Sequence, residues 1–211
     1  ILDKYACNKC LEALSLFLIN TSLNEKKYLE VVSEINNIKN NLKEQYVKYC
    51  NDSDLPCEIL KTNIEINEKT NINKLIEYAQ SNTTNKSKTI DKSKQSLYEL
   101  ITLYAKLSAS IVRKIKRYED WDEFDYEILR FFALTNAYSI RLEKIKRRIQ
   151  EFCPIAFKIK EKLFSIIESR YGKKQNAIIS ASEYKGHSIL VSGDDLIELD
   201  MLLATLEKMN L

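Results

Sequence analysis

Five cysteines carry the most specific chemistry of this 211-residue chain: Cys7, Cys10, Cys50, Cys57 and Cys153. Cys7-Asn8-Lys9-Cys10 has the spacing of a redox centre or a zinc half-site, but the strand–turn–helix context of a thioredoxin-like centre is missing. Joined to Cys50 and Cys57 it would supply four thiolates, in a spacing that matches no common zinc module. Buried free thiols are the plainer alternative, since cysteine packs as a small hydrophobe. The preferred reading is disulfides. Cys50 ends one helical segment and Cys57 begins the next, across a turn containing Pro56. Such a turn brings two Cα atoms into the window of roughly 4.4–6.8 Å that a disulfide needs. Cys7–Cys10 is the second candidate, and Cys153 is left over as a free, buried thiol. Disulfides imply an oxidising compartment.

Enzymatic chemistry finds little else to use. The single histidine, His187, lies between Gly186 and Ser188 and reads as a loop residue, which removes HExxH zinc sites and most triads. Residues 1–171 contain no glycine, so phosphate-cradling loops and dinucleotide fingerprints are absent. The carboxylates of 119–127 show no spacing that picks out an acid–base couple. No catalytic residue, no metal site, no cofactor and no small-molecule substrate are expected.

Two basic clusters remain as candidate anion-binding residues: Arg113, Lys114, Lys116 and Arg117, and Lys144, Lys146, Arg147 and Arg148. Interleaved apolar residues place both on helices, where the plain reading is a solvated face. The sharper one is a patch for anionic lipid, glycan or nucleic acid. A net charge of +3 gives nucleic acid little support as a partner. Leu11, Leu14, Phe17 and Leu18 form an unusually apolar stripe, read as core or, if the fold opens, as a membrane or partner surface. Four Asn-x-Ser/Thr triplets begin at Asn20, Asn51, Asn82 and Asn85, a weak signal in so asparagine-rich a chain.

The elements that must position these groups read as helices. Apolar residues make up 45% and charged residues 30%, a composition that folds. A stretch over 3–19 is followed by 23–50, where Tyr28, Ile35, Leu42 and Tyr49 recur every seven residues. A weaker helix spans 57–80, and 81–88 is a polar linker. Segment 90–118 carries the rows Leu97, Tyr104, Ile111, Tyr118 and Ile101, Ser108, Ile115, widened by Leu100 and Leu107. Segment 121–152 carries Phe124, Phe131, Tyr138, Ile145 and Phe152. Pro154 should kink that helix or open a new one ending at Gly172. Residues 173–193 are irregular, with a short strand at 188–191, before a last helix over 194–210. The expectation is one all-α domain over 1–211, an elongated up-and-down bundle of four to five long helices. Polar seam residues Gln45, Ser108 and Thr135 would lower the cost of opening it. The first residue is Ile1, which a cleaved signal peptide or an excised fragment would both leave.

The Asn-, Lys- and Ile-rich texture of Ser33-Glu-Ile-Asn-Asn-Ile-Lys-Asn-Asn-Leu42 and Thr62-Asn-Ile-Glu-Ile-Asn-Glu-Lys-Thr-Asn71 resembles proteins of very AT-rich genomes, malaria parasites among them. Within that group the chain resembles, in composition, length and heptad pattern, the small secreted helical-bundle proteins of Plasmodium sporozoite micronemes that act in host-cell traversal. The resemblance implies a non-enzymatic secreted protein whose partner is a host membrane; it assigns no residue a role. The alternative is a cytoplasmic coiled-coil adaptor that binds a protein partner. Oligomeric state is open in both readings.

Overall fold

The computed structural model describes residues 3–16, 25–57, 71–89, 91–136, 140–173, 175–176, 189–193 and 195–209. These residues are mostly helical, with no strand among them. The helices are α1 (Lys4–Leu16), α2 (Glu25–Asp52), α3 (Ile72–Thr89), α4 (Lys92–Ile115), α5 (Asp125–Ala133), α6 (Leu142–Tyr171) and α7 (Leu196–Lys208), with a 3-10 turn at Leu134–Asn136. Three of the seven, α2, α4 and α6, have 24 residues or more, where four to five long helices were expected.

Helix α4 is the centre. Its buried face is Tyr98, Ile101, Ala105, Ser108, Ala109, Val112 and Ile115, steps of three and four that match a helical repeat. The row Ile101, Ser108, Ile115 is therefore the core row. Leu97 and Ile111 flank it, and Leu107 faces outward. Ala105 and Ala109 keep the face low, so neighbours approach closely. Leu11 and Leu14 of α1, Ile128 and Phe131 of α5, and Ile145, Phe152 and Ile159 of α6 complete one apolar core with α4. Burying side chains of this size stabilises by about 1.5–3 kcal/mol each. Phe131 and Phe152 stack with centroids 3.9 Å apart and rings 5° from parallel.

The row expected to be one helix over 121–152 is split. Phe131 lies in α5, and Ile145 and Phe152 in α6; Tyr138 is outside the described residues. Near the break, the Thr135 hydroxyl donates to the Phe132 carbonyl at 2.8 Å. Threonine and asparagine compete for backbone bonds in this way and favour helix ends. Pro154, by contrast, does not end α6, which runs through it for 30 residues, about 45 Å. Pro154 is on the exposed face of α6. There the carbonyl it leaves without a donor can be hydrated, while Phe152 and Ile159 hold the opposite face in the core. Gly172 caps α6 at φ 82°, a left-handed conformation that favours glycine, and its N–H bonds the Glu168 carbonyl at 3.0 Å.

Two further expectations are corrected. The stretch read as a polar linker continues as helix to Thr89, opened by Asn71 accepting from the Lys74 N–H at 3.0 Å. Ser81 bonds the Tyr78 carbonyl locally, and the helix continues past it. Ile189–Val191 is not a strand; Ser188 lies outside the described residues.

One buried polar cluster pins α1, the end of α4 and α5 together. Asp125 is 4% exposed and ion-pairs with Lys116, whose ammonium also donates to Asn8. Its second oxygen, Oδ1, has no partner among the described residues. Burial raises the Asp125 pKa, and the Lys116 hydrogen bond pulls against that rise without cancelling it.

Candidate functional site

The four cations at the end of α4 do not form one patch. Lys116 turns inward to Asp125, as above. Arg113, Lys114 and Arg117 instead line a cavity of about 110 Å³, with Ser15, Ser110 and Glu198 on its walls. Helix α1 runs antiparallel to α4 here: Lys4 pairs with Asp120 at 2.7 Å, Lys116 meets Asn8, and Arg113 donates to Ser15 at 2.6 Å. The Ser15 hydroxyl in turn donates to the Glu12 carbonyl at 2.8 Å. Glu12 also approaches Arg113, at 3.7 Å.

The far wall belongs to α7. Asp195 caps that helix, accepting from the backbone N–H of Ile197 at 3.1 Å and of Glu198 at 3.3 Å. The same carboxylate ion-pairs with Lys114. Burial pushes the Asp195 pKa up, but the Lys114 bond and the two backbone bonds together outweigh it and hold the carboxyl below its usual range. Further along, Asp200 pairs with Arg170 at 3.2 Å and accepts from Tyr171 at 3.1 Å. The Arg170 guanidinium stacks over the Tyr118 ring at 5.0 Å. The Tyr171 phenol is pushed up to about 12 by local desolvation together with Tyr118 and Asp200. Arg117 contacts the Met201 sulfur at 3.7 Å.

The acidic side of α7 thus lies on the basic end of the body, and the helix buries little else. Ile197 is its one buried residue, while Met201 at 57% and Leu203 at 56% are exposed, as are Leu196 and Met209. Phe157 and Phe164 are exposed on α6.

The other sequence candidates fall elsewhere. Arg147 and Arg148 both pair with Glu151, at 2.9 and 2.8 Å, and Lys146 with Glu143 at 3.1 Å; these are neighbours on one exposed helix face, and Lys144 is exposed beside them. Leu11 and Leu14 are in the core; Phe17 and Leu18 lie outside the described residues. Ser108 is buried in the α4 seam, Thr135 is half-buried, and Gln45 is exposed on α2. Of the glycosylation triplets, Asn51 is exposed in the last turn of α2; Asn20 and the side chains of Asn82 and Asn85 lie outside the described residues.

The disulfide expectation is corrected: all five cysteines are free. Backbone bonds close the turn after α2, from Ser53 N–H to Tyr49 O at 3.1 Å and from Leu55 N–H to Cys50 O at 2.9 Å, with Asp54 at φ 51°. Cys50 is buried and Cys57 exposed, with no bond between them. Cys153 is exposed, not buried. Burial raises the pKa of Cys7 and of Cys10, which keeps both as thiols at neutral pH and weak as nucleophiles. Among the described residues no group of three or more His, Cys, Asp or Glu could hold a metal ion. No described helix is long and apolar enough to cross a membrane.

Sequence reasoning missed the acidic half of this site: Asp195, Glu198 and Asp200, with Arg170 and Tyr171. The available signal was the Asp194-Asp195 pair before an apolar run, which marks a helix start with negative charge. What it touches depends on the fold. No protein-family model, curated protein or solved structure matches the chain.

Proposed function

We propose that this is a non-enzymatic helical-bundle protein that acts on membranes by releasing α7 from its body. Its resemblance to secreted proteins of host-cell traversal supports a role in breaching host cells. One observation carries the mechanism. Helix α7 is leucine-rich, yet it buries only Ile197 fully, is tied to the body by Asp195–Lys114 and Asp200–Arg170, and leaves Leu196, Met201, Leu203 and the adjoining Met209 exposed. The Asp200–Arg170 pair is exposed and of a kind worth about 0–1 kcal/mol, whereas Asp195–Lys114 is half-buried and is the stronger tie a competing anionic surface must displace. A helix so freed has an apolar side to bury at a bilayer interface.

Dye-loaded anionic vesicles test this. The intact protein should bind them and release dye. Leu203→Ser combined with Met209→Ser should lower both several-fold while leaving the circular dichroism unchanged, because neither side chain is buried. Absence of binding and leakage at any pH would contradict the membrane reading.

A second reading, an adaptor binding a protein partner, is favoured by α2. Its N-terminal part meets α1, where Tyr5 and Lys9 bond Glu34, and buries Val31 and Ile38, but further along Tyr49 is exposed. Five free thiols also suit a reducing compartment. Capture of a protein partner that Tyr49→Ser abolishes, with no effect on vesicle leakage, would favour this reading.

A further inference from the structure

We infer that the cavity between α1, α4 and α7 is a binding site for a phosphate group, held shut by the acidic first turn of α7. Its volume of about 110 Å³ is enough for a tetrahedral oxyanion, and it opens to solvent. Two guanidinium groups and an ammonium converge on it from the last turn of α4 and the residues just after it: Arg113, Lys114 and Arg117. Guanidinium groups offer paired donors that match phosphate oxygens. Ser110 adds a hydroxyl from the same helix face.

The cations are not equally committed. Lys114 is held by Asp195, and Arg113 is shared between Ser15 and Glu12. Arg117 touches the Met201 sulfur and has no carboxylate within ion-pair distance among the described residues. It therefore has donors to give at no cost to the fold.

The chain itself shows what the site prefers. The Asp195 carboxylate, beside the cavity, already engages one of its cations, holding the Lys114 ammonium while it accepts from the backbone N–H groups of Ile197 and Glu198. Glu198 stands on the wall as a second carboxylate. It is exposed and can swing into solvent. An incoming phosphate would repel Glu198 and compete with Asp195 for Lys114. Binding would then loosen α7 by the same amount that α7 opposes binding. The site does not depend on the membrane reading, and its test contains no lipid.

The experiment is a calorimetric titration of the whole protein, at fixed ionic strength, with inorganic phosphate and with glycerol 3-phosphate. Saturable one-to-one binding is expected. Arg117→Gln should weaken it about tenfold, the loss of one charge-assisted contact, and Glu198→Gln should strengthen it. Lys144→Gln, on the distant cluster, should leave it unchanged. A monoester that binds as tightly as the free ion shows that the site accepts phosphate carried on a larger molecule. A monoester that fails while the ion binds restricts the site to free phosphate. Equal weakening by Arg117→Gln and Lys144→Gln would reduce the effect to general charge attraction and overturn the proposal. So would the absence of saturation by either ligand.

Discussion

Lys116 belongs to a run of four cations within five residues, and only its neighbours in space separate it from the other three. Three of those cations serve a cavity, and the fourth serves the core. Ionised Asp125 gains Lys116 and loses water, and the loss prevails, since its pKa is raised. The sign follows. The folded state binds this proton more readily than the unfolded chain, whose aspartate sits near 3.8. At this site stability is gained as pH falls through the raised folded value. Asp195, with its pKa lowered, acts the other way and loses its contribution as pH falls below about 3.8. Urea unfolding of the wild type and of Asp125→Asn from pH 7 to pH 4 isolates the first effect. The wild type should gain stability relative to the variant on acidification; a constant difference would show that Asp125 titrates at its ordinary value.

At the scale of elements, periodicity reveals a helix more readily than its ends or its partners. The α4 core row Ile101, Ser108, Ile115 was legible because a seven-residue spacing survives in any helix packed along one side. The break between α5 and α6 was not, since the apolar spacing carries on across it from Phe131 to Ile145. Local chemistry at Thr135 and Asn136 overrode the pattern there. The reverse happened at Pro154, where packing on both sides overrode a local helix breaker. An interior proline costs a helix about 3 kcal/mol relative to alanine, less the loss of chain freedom that proline brings to the unfolded state. Pro154→Ala should therefore raise the melting temperature without altering helix content. A lower melting temperature would mean that the proline ring makes packing contacts that α6 needs.

Over the whole molecule, two kinds of attachment coexist. Helices α1, α4, α5 and α6 share an apolar core, whereas α7 buries one side chain fully, Ile197, and is tied by two ion pairs at one end of the body. The apolar core was largely readable from sequence, since Leu11, Ile101, Phe131, Ile145 and Phe152 all sit in apolar rows. The site was half readable. The basic residues of α4 announce themselves as a run, but the carboxylates that cover them lie about eighty positions away and look like an ordinary helix start. Charge pairing across that distance leaves no periodic mark. Salt therefore distinguishes the two attachments, since it screens ion pairs, the exposed Arg170–Asp200 more than the half-buried Lys114–Asp195, and leaves apolar burial intact.

Hydrogen exchange of the backbone amides of α7 and α4, at 0.1 M and at 1 M salt, puts this most directly. Amides of α7 should exchange through a local opening that quickens with salt, while those of α4 stay protected up to global unfolding. If α7 is as protected as α4 at both concentrations, the helix is part of the core and the releasable arm does not exist.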